Sequence, residues 1–285
     1  NPRISPDGKK IAFTVNTSDN PDIWIWDLVR KNLTRLTFDG KGSSPLWTPD
    51  GQRIVFASLN TPVVIDAKAA DGTGEVEHLS SLSSRHLFPA SWAIDGNTLA
   101  LVESLLGFPQ TDIGMLSMKN GGENKPLLQE KYNETQPQIS PNGKWMAYIS
   151  DESGRHEVYV CPFPDVNKGK WQVSTSGGDS PLWSPDGKEL FYRSGDAAMA
   201  LSVKTEPGFS LVGIPQILFR GMHVSYNFNP IPLELNTWDI SSDNKRFLMI
   251  KSAPFPDEKS TTETPRVINI VLNWTEELKQ RVPVK

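Results

Sequence analysis

Cysteine is almost missing from this chain of 285 residues: Cys161 stands alone, so no internal disulfide can brace the fold. Its place in a strand-like run implies an inert structural thiol. Histidine is scarce too, with four copies at 78, 86, 156 and 223. No His-Glu-x-x-His, no Gly-x-Ser-x-Gly elbow, no glycine-rich phosphate loop and no His-Arg-Asp run occurs, so hydrolase, metalloprotease and kinase chemistry have no visible machinery here. No cofactor is implied. Long apolar runs are lacking as well: the most apolar stretch, Leu99 to Phe108, is short and carries Glu103, whereas a membrane helix needs about 20 residues. No strong excess of positive or negative charge occurs either. With 29 basic and 33 acidic residues the net charge is −4, which leaves no positive field for nucleic acid.

What the chain does have is a repeated turn. Pro6-Asp7-Gly8, Pro49-Asp50-Gly51, Ile94-Asp95-Gly96, Pro141-Asn142-Gly143, Pro185-Asp186-Gly187 and a degenerate Ser242-Asp243-Asn244 recur every 43 to 57 residues. Pro presets φ, Asp bonds its own backbone, and Gly accepts the left-handed conformation from which the next strand starts. Asn244 is a mild replacement, because Asn is the next most tolerant of positive φ. Periods of this size mean an array of small units. An aromatic residue precedes most turns and an apolar run follows, as in Trp183-Ser184-Pro185-Asp186-Gly187-Lys188 with Leu190 to Tyr192. Such runs suit strands buried on both faces.

Each repeat divides into four strand-like runs. In the first, Lys10 to Val15, Asp22 to Leu28 and Leu33 to Phe38 follow the turn; in the fifth, Glu189 to Arg193, Ala198 to Lys204 and Pro215 to Phe219 do. Four antiparallel strands repeated six times describe an all-β, six-bladed β-propeller occupying 1–285 as one domain, with blades beginning near 1, 43, 88, 135, 179 and 236. Two unrelated β-sandwiches would not explain one turn recurring at one place. Trp47, Trp92, Trp183 and Trp238 read as wedges between blades, with Trp238 shifted in register and able to face the channel. The sixth repeat reads as Arg246 to Lys251 and Arg266 to Trp274, then a short C-terminal helix capped by Asn273 and stopped by Pro283. The chain enters its repeat in mid-motif, so a fragment of a longer protein is expected. An upstream segment would then supply the outer strand of blade six.

The turn-bearing stretches at Trp47 and Trp183, with Asp22-Ile23-Trp24-Ile25-Trp26 to Leu36-Thr37, resemble the repeats of TolB-like six-bladed propellers, distant relatives of WD repeats. A narrower resemblance lies in Glu157-Val158-Tyr159-Val160, Pro162-Phe163-Pro164, Trp171-Gln172-Val173-Ser174, Arg246 to Ile250 and Asn269 to Val282. These are similar to the propeller that ends many membrane-anchored bacterial serine/threonine kinases. The resemblance implies a sensor or protein-binding module without catalysis, in a periplasmic or extracytoplasmic location, with a cytoplasmic one left open.

Candidate binding residues lie where blade-to-blade crossings reach the channel mouth. Aligning on the turn places Ser43, Phe88, Thr135, Asp179 and Asn236 at equivalent positions, and the loops around them add Arg85, His86, Arg155, His156, Tyr226 and Phe228. Of these, Arg85, His86, Arg155, His156, Asp179, Tyr226 and Asn236 form the expected site for a protein, peptide or small ligand. Solvated loops are the plain alternative. A propeller enzyme using channel histidines with a metal is the other, although Arg85 and Arg155 beside two of the histidines would repel a cation. The carboxylates Asp7, Asp50, Asp95, Asp186 and Asp243 sit around a ring, each with a local task in its turn.

Overall fold

The computed structural model describes residues 1–17, 20–80, 84–108, 110–120, 122–221, 227–228, 233–234 and 236–250. Five four-stranded antiparallel sheets follow one another along the chain, each ordered from inner to outer strand. Blade one is Arg3–Ile4, Lys10–Thr17, Asn20–Asp27 and Asn32–Arg35; blade two is Gly42–Trp47, Arg53–Ser58, Val64–Ala69 and Glu77–His78. Blade three is Arg85–Trp92, Thr98–Leu105, Thr111–Ser117 and Glu123–Leu128. Blade four is Glu134–Ile139, Trp145–Ser150, Glu157–Pro162 and Trp171–Gln172; blade five is Asp179–Trp183, Glu189–Ser194, Ala197–Lys204 and Ser210–Arg220. A sixth sheet pairs Trp238–Ile240 with Phe247–Met249. The expected strand Arg266 to Trp274 and the terminal helix lie outside the described residues.

The turns form as their sequence dictates. In the fifth, the Ser184 hydroxyl donates to Asp186 Oδ1 at 2.7 Å and accepts from the Glu189 amide at 2.9 Å, while Gly187 N–H closes on Ser184 O at 2.9 Å with φ at 69°. The same three-way lock recurs at Ser5, Thr48, Ser140 and Ser241. Hydroxyl donation is the main reason that the Asp7, Asp50, Asp186 and Asp243 carboxyls sit below the ordinary range. Asn244 takes the place of glycine at φ 57°.

The core lies between blades. One apolar cluster joins Ile23, Ile25 and Leu36 of blade one to Trp47 and Ile54 of blade two, and others repeat the arrangement around the ring. Ile11 and Phe13 of blade one pack on Leu248 of blade six, and Ile4 N–H donates to Asp239 Oδ2 at 2.7 Å, so the ring closes. Three wedge tryptophans reach back to the preceding blade: Trp47 Nε1 donates to Arg3 O at 3.0 Å, Trp183 to Gln138 O at 2.9 Å and Trp238 to Ser180 O at 2.8 Å. Trp238 therefore does not face the channel. It is fully buried and stacks on Phe247 at 5.3 Å, because its shifted register lets it meet a carbonyl two residues further back. Cys161 is buried as well, and burial pushes its thiol up to about 12.

The outer strand of blade five starts at Ser210, ahead of the expected Pro215. It stays paired by slipping register twice against Ala197–Lys204, which accommodates Gly213 and Pro215. Inner strands carry a second recurring irregularity. Register slips between Ser43 and Leu46, Thr135 and Gln138, and Asp179 and Leu182, leaving Ser44, Gln136 and Ser180 at φ 53°, 52° and 53° directly before a proline. Proline is tolerated there because its missing N–H lies on the free inner edge of the sheet.

Gly187→Val should lower the unfolding free energy by about 1 kcal/mol or more, since a β-branched residue is strained at positive φ. A Cβ at that site would meet only Pro141 at 3.7 Å, so crowding adds little. Gly187→Asn should cost less, as Asn244 does the same work in blade six. Equal losses for both in urea unfolding would show that φ is not what the turn demands.

Candidate functional site

The start of each inner strand and the hairpin between second and third strands lie at one end of every blade, because the second strand runs antiparallel to both. That end carries Arg85, His86, Arg155, His156, Asp179 and Asn236 of the expected site. The Asp-Gly turns and the hairpins between third and fourth strands lie at the other.

A carboxylate opens the third strand in three blades: Asp22, Asp112 and Glu157, all buried. Thr37 Oγ1 donates to Asp22 at 2.7 Å and accepts the Ile23 amide at 2.9 Å, and Ser174 bridges Glu157 and the Val158 amide in the same manner. A guanidinium completes each. Arg35 reaches Asp22 at 2.5 Å, Arg85 reaches Asp112 at 2.6 Å, and Arg155 reaches Glu157 at 2.7 Å. Arg85 and Arg155 are thus fixed by buried carboxylates as well as placed at the expected end. Burial pushes the Glu157 carboxyl up, and bonds from Ser174, Gly177 and Arg155 together reverse it to below the ordinary range.

His86 is tied down too: its Nδ1 accepts the Val63 amide at 3.0 Å, a bond from blade two to blade three. Burial lowers its pKa, so the ring is neutral with its proton on Nε2. His156 is half-buried and its carbonyl accepts the Gly178 amide at 3.0 Å. Asp179 pairs in register with Arg193, a buried residue whose guanidinium donates to Thr237 Oγ1 at 3.2 Å in the segment leading to blade six. Asn236 is buried, with Nδ2 on Pro181 O at 3.4 Å and Oδ1 without a partner. Tyr226 and His223 lie outside the described residues. Phe88 belongs to the core beside Ala57, Val63 and Val102 rather than to the mouth. An apolar ring at this position, where the other blades carry Ser43, Thr135 and Asp179, is drawn into the apolar space between blades two and three.

Residues not singled out from the sequence add to this end. Glu134 is 1% exposed at the start of an inner strand, and burial, with Asp112, Glu130 and Asp151 nearby, pushes its carboxyl up to about 7. Glu103 is buried beneath Arg85, in space left by Gly114, where any Cβ would overlap its Oε1. Exposed apolar side chains also gather here: Leu105, Leu106 and Phe108 in the blade-three hairpin, and Phe38 in the first crossing with the Arg35 guanidinium 5.1 Å above its ring. Among the described residues no group of three or more His, Cys, Asp or Glu is arranged to hold a metal ion.

These features define a TolB-like β-propeller with a charged and apolar rim at its crossing end. No family model matches the chain. The chain is similar to the uncharacterized peptidase YuxL of Bacillus subtilis (strain 168), 30% identical over 168 residues, which are 56% of this chain and 24% of that protein. It is also similar to the Tol-Pal system protein TolB of Francisella tularensis subsp. tularensis, 27% identical over 192 residues, 65% of this chain and 43% of that one. The matches thus span less than half the length of these relatives. Two solved structures share the fold: TolB from Acinetobacter baumannii, with TM-score 0.59, 23% identity and 77% and 54% of the two chains covered, and an oligogalacturonate lyase in complex with manganese, with TM-score 0.61, 14% identity and 88% and 69% covered.

Glu134 makes stability depend on pH. Its folded pKa lies above the unfolded value of about 4.3, so the folded state binds the extra proton. Its contribution is fully present below pH 4 and is lost as pH rises to 7. Relative to Glu134→Gln, the wild type should lose on the order of 2 kcal/mol between pH 4.5 and 8 in denaturant titrations. Parallel profiles would show that Glu134 titrates as an ordinary carboxylate.

Proposed function

We propose that this propeller is a non-catalytic binding module whose crossing end takes a protein or peptide, within a larger bacterial protein. The observation that carries it is the presence at one end of exposed Phe38, Phe108, Leu105 and Leu106 together with guanidinium groups already held in place by buried carboxylates. Exposed apolar side chains rimmed by ordered charge are the signature of a protein-recognition surface. Arg85, His86, Arg155, His156, Asp179 and Asn236 form its rim and base, with Tyr226 as the further residue expected there. The likeness to TolB supports a module of this kind in a periplasmic or extracytoplasmic setting. The resemblance of 157–174 and 246–250 to kinase-terminal propellers supports the sensor region of a serine/threonine kinase as its particular context.

The rival reading is a propeller enzyme. The likeness to a peptidase and to a manganese-bound lyase favours it, but His86 spends Nδ1 on a backbone amide and His78 sits on an outer strand paired with Asp66 at 2.6 Å. A stoichiometric metal in purified protein that is lost in the double variant His86→Ala/His156→Ala would move the assignment to the enzyme.

A photo-crosslinking residue at Phe108 should give a specific protein adduct in bacterial cells expressing the full-length protein. The same residue at Val29, equally exposed at the opposite end, should give none. Matching patterns from both positions would remove the crossing end as the binding surface.

A further inference from the structure

Three arginines of the crossing end are matched to buried carboxylates: Arg35 to Asp22, Arg85 to Asp112 and Arg155 to Glu157. Arg193 is the exception, although at 4% exposure it is more deeply buried than any of them. Its Nη1 donates to Thr237 Oγ1 at 3.2 Å, and its Nε is buried without a partner. Among the described residues no carboxylate comes within ion-pairing distance of it. It nevertheless sits near the surface of the crossing end, since its ladder neighbour Asp179 is half-buried and Gly195 and Asp196, just beyond it, are exposed.

The ladder shows that the fold does not need a guanidinium at this place. In blades two, three and four the corresponding residues, opposite Ser43, Phe88 and Thr135, are Ala57, Val102 and Ile149, all buried and apolar. A buried cation held by one neutral acceptor is destabilising, and the planar fork of arginine leaves a second edge, Nε with Nη2, to be satisfied. A matching acceptor lies next to it. Asn236, adjacent in sequence to Thr237, is 4% exposed, and its Oδ1 has no donor.

We propose that Arg193 and Asn236 together recognise the free C-terminus of a peptide, an inference that rests on the crossing end being the binding surface and adds which part of the partner is read there. A terminal residue carries both complements, a carboxylate and its own amide N–H. The carboxylate lies along the Nε and Nη2 edge in the two-bond geometry that arginine favours, and the amide donates to Asn236 Oδ1. A singly charged carboxylate suits the site better than a phosphate, because Asp179 beside the guanidinium would repel a second negative charge.

Calorimetric titration of the full chain with N-acetyl-Ala-Ala-Phe tests this, with the C-terminal amide of the same peptide as control. Saturable one-to-one binding of the acid is expected, with the amide weaker by about tenfold or more, the scale of one charge-assisted bidentate pair. Arg193→Met should weaken the acid to the level of the amide, yet unfold in urea no earlier than the wild type, because it restores the apolar character found in the other blades. A purely structural arginine would lose stability instead. No saturation at millimolar acid, equal binding of acid and amide, or a less stable Arg193→Met chain would overturn the proposal. A Phe108 crosslink that persists unchanged in Arg193→Met would also overturn it, while leaving the crossing end as the binding surface.

Discussion

Every feature of this protein depends on sheets that are apolar on both faces. A single four-stranded blade of this composition exposes Ile23 and Ile25 on one side and Trp24 on the other, and it has no means of burying both alone. Stacking against a neighbour buries each face in turn, and a ring is the arrangement in which the first and last blades are also covered. The contact of Ile11 and Phe13 with Leu248 is that last closure. At about 25 cal/mol per Å² of buried apolar surface, these junctions dominate the favourable side of folding.

Closure then decides where polar groups go. The narrow inner edge cannot take another strand, and prolines at 45, 89, 137 and 181 occupy the inner strands where an N–H is not needed. Left-handed Ser44, Gln136 and Ser180 sit beside these prolines, each at a cost of order 1 kcal/mol, and they persist because the surrounding blades fix them. The outer part of the same end is organised by buried carboxylates that hold hydroxyls, amides and guanidinium groups together. A buried carboxylate without such partners would be destabilising, so Arg35, Arg85 and Arg155 serve the fold as well as the rim.

The six junctions are not equal. Blades four and five share an aromatic cluster, whereas blades two and three substitute an ion pair and leave a groove. Repetition makes such departures readable, because each junction is a control for the others. An ordinary single-core domain offers no such internal comparison.

The repeating unit and its count are legible in adjacent residues alone. Turn chemistry is local: Ser184, Asp186 and Gly187 specify their hairpin through bonds within five residues, so six turns could be counted and the strands between them assigned as blades. The sequence also placed Arg85, His86, Arg155 and His156 at one end, since alternation of direction follows from strand order alone. Tertiary structure decided what those side chains do. The high pKa of Glu134 depends on burial and on Asp112 from blade three, the neutral state of His86 on Val63 from blade two, and the burial of Trp238 on Phe247 across a ladder. That the buried Trp92 indole N–H lacks the carbonyl partner found by Trp47, Trp183 and Trp238 appears only when its strand is laid beside the preceding blade. Short-range hydrogen bonds are written in adjacent residues, whereas desolvation and pairing between blades are set by which surfaces meet when the ring closes.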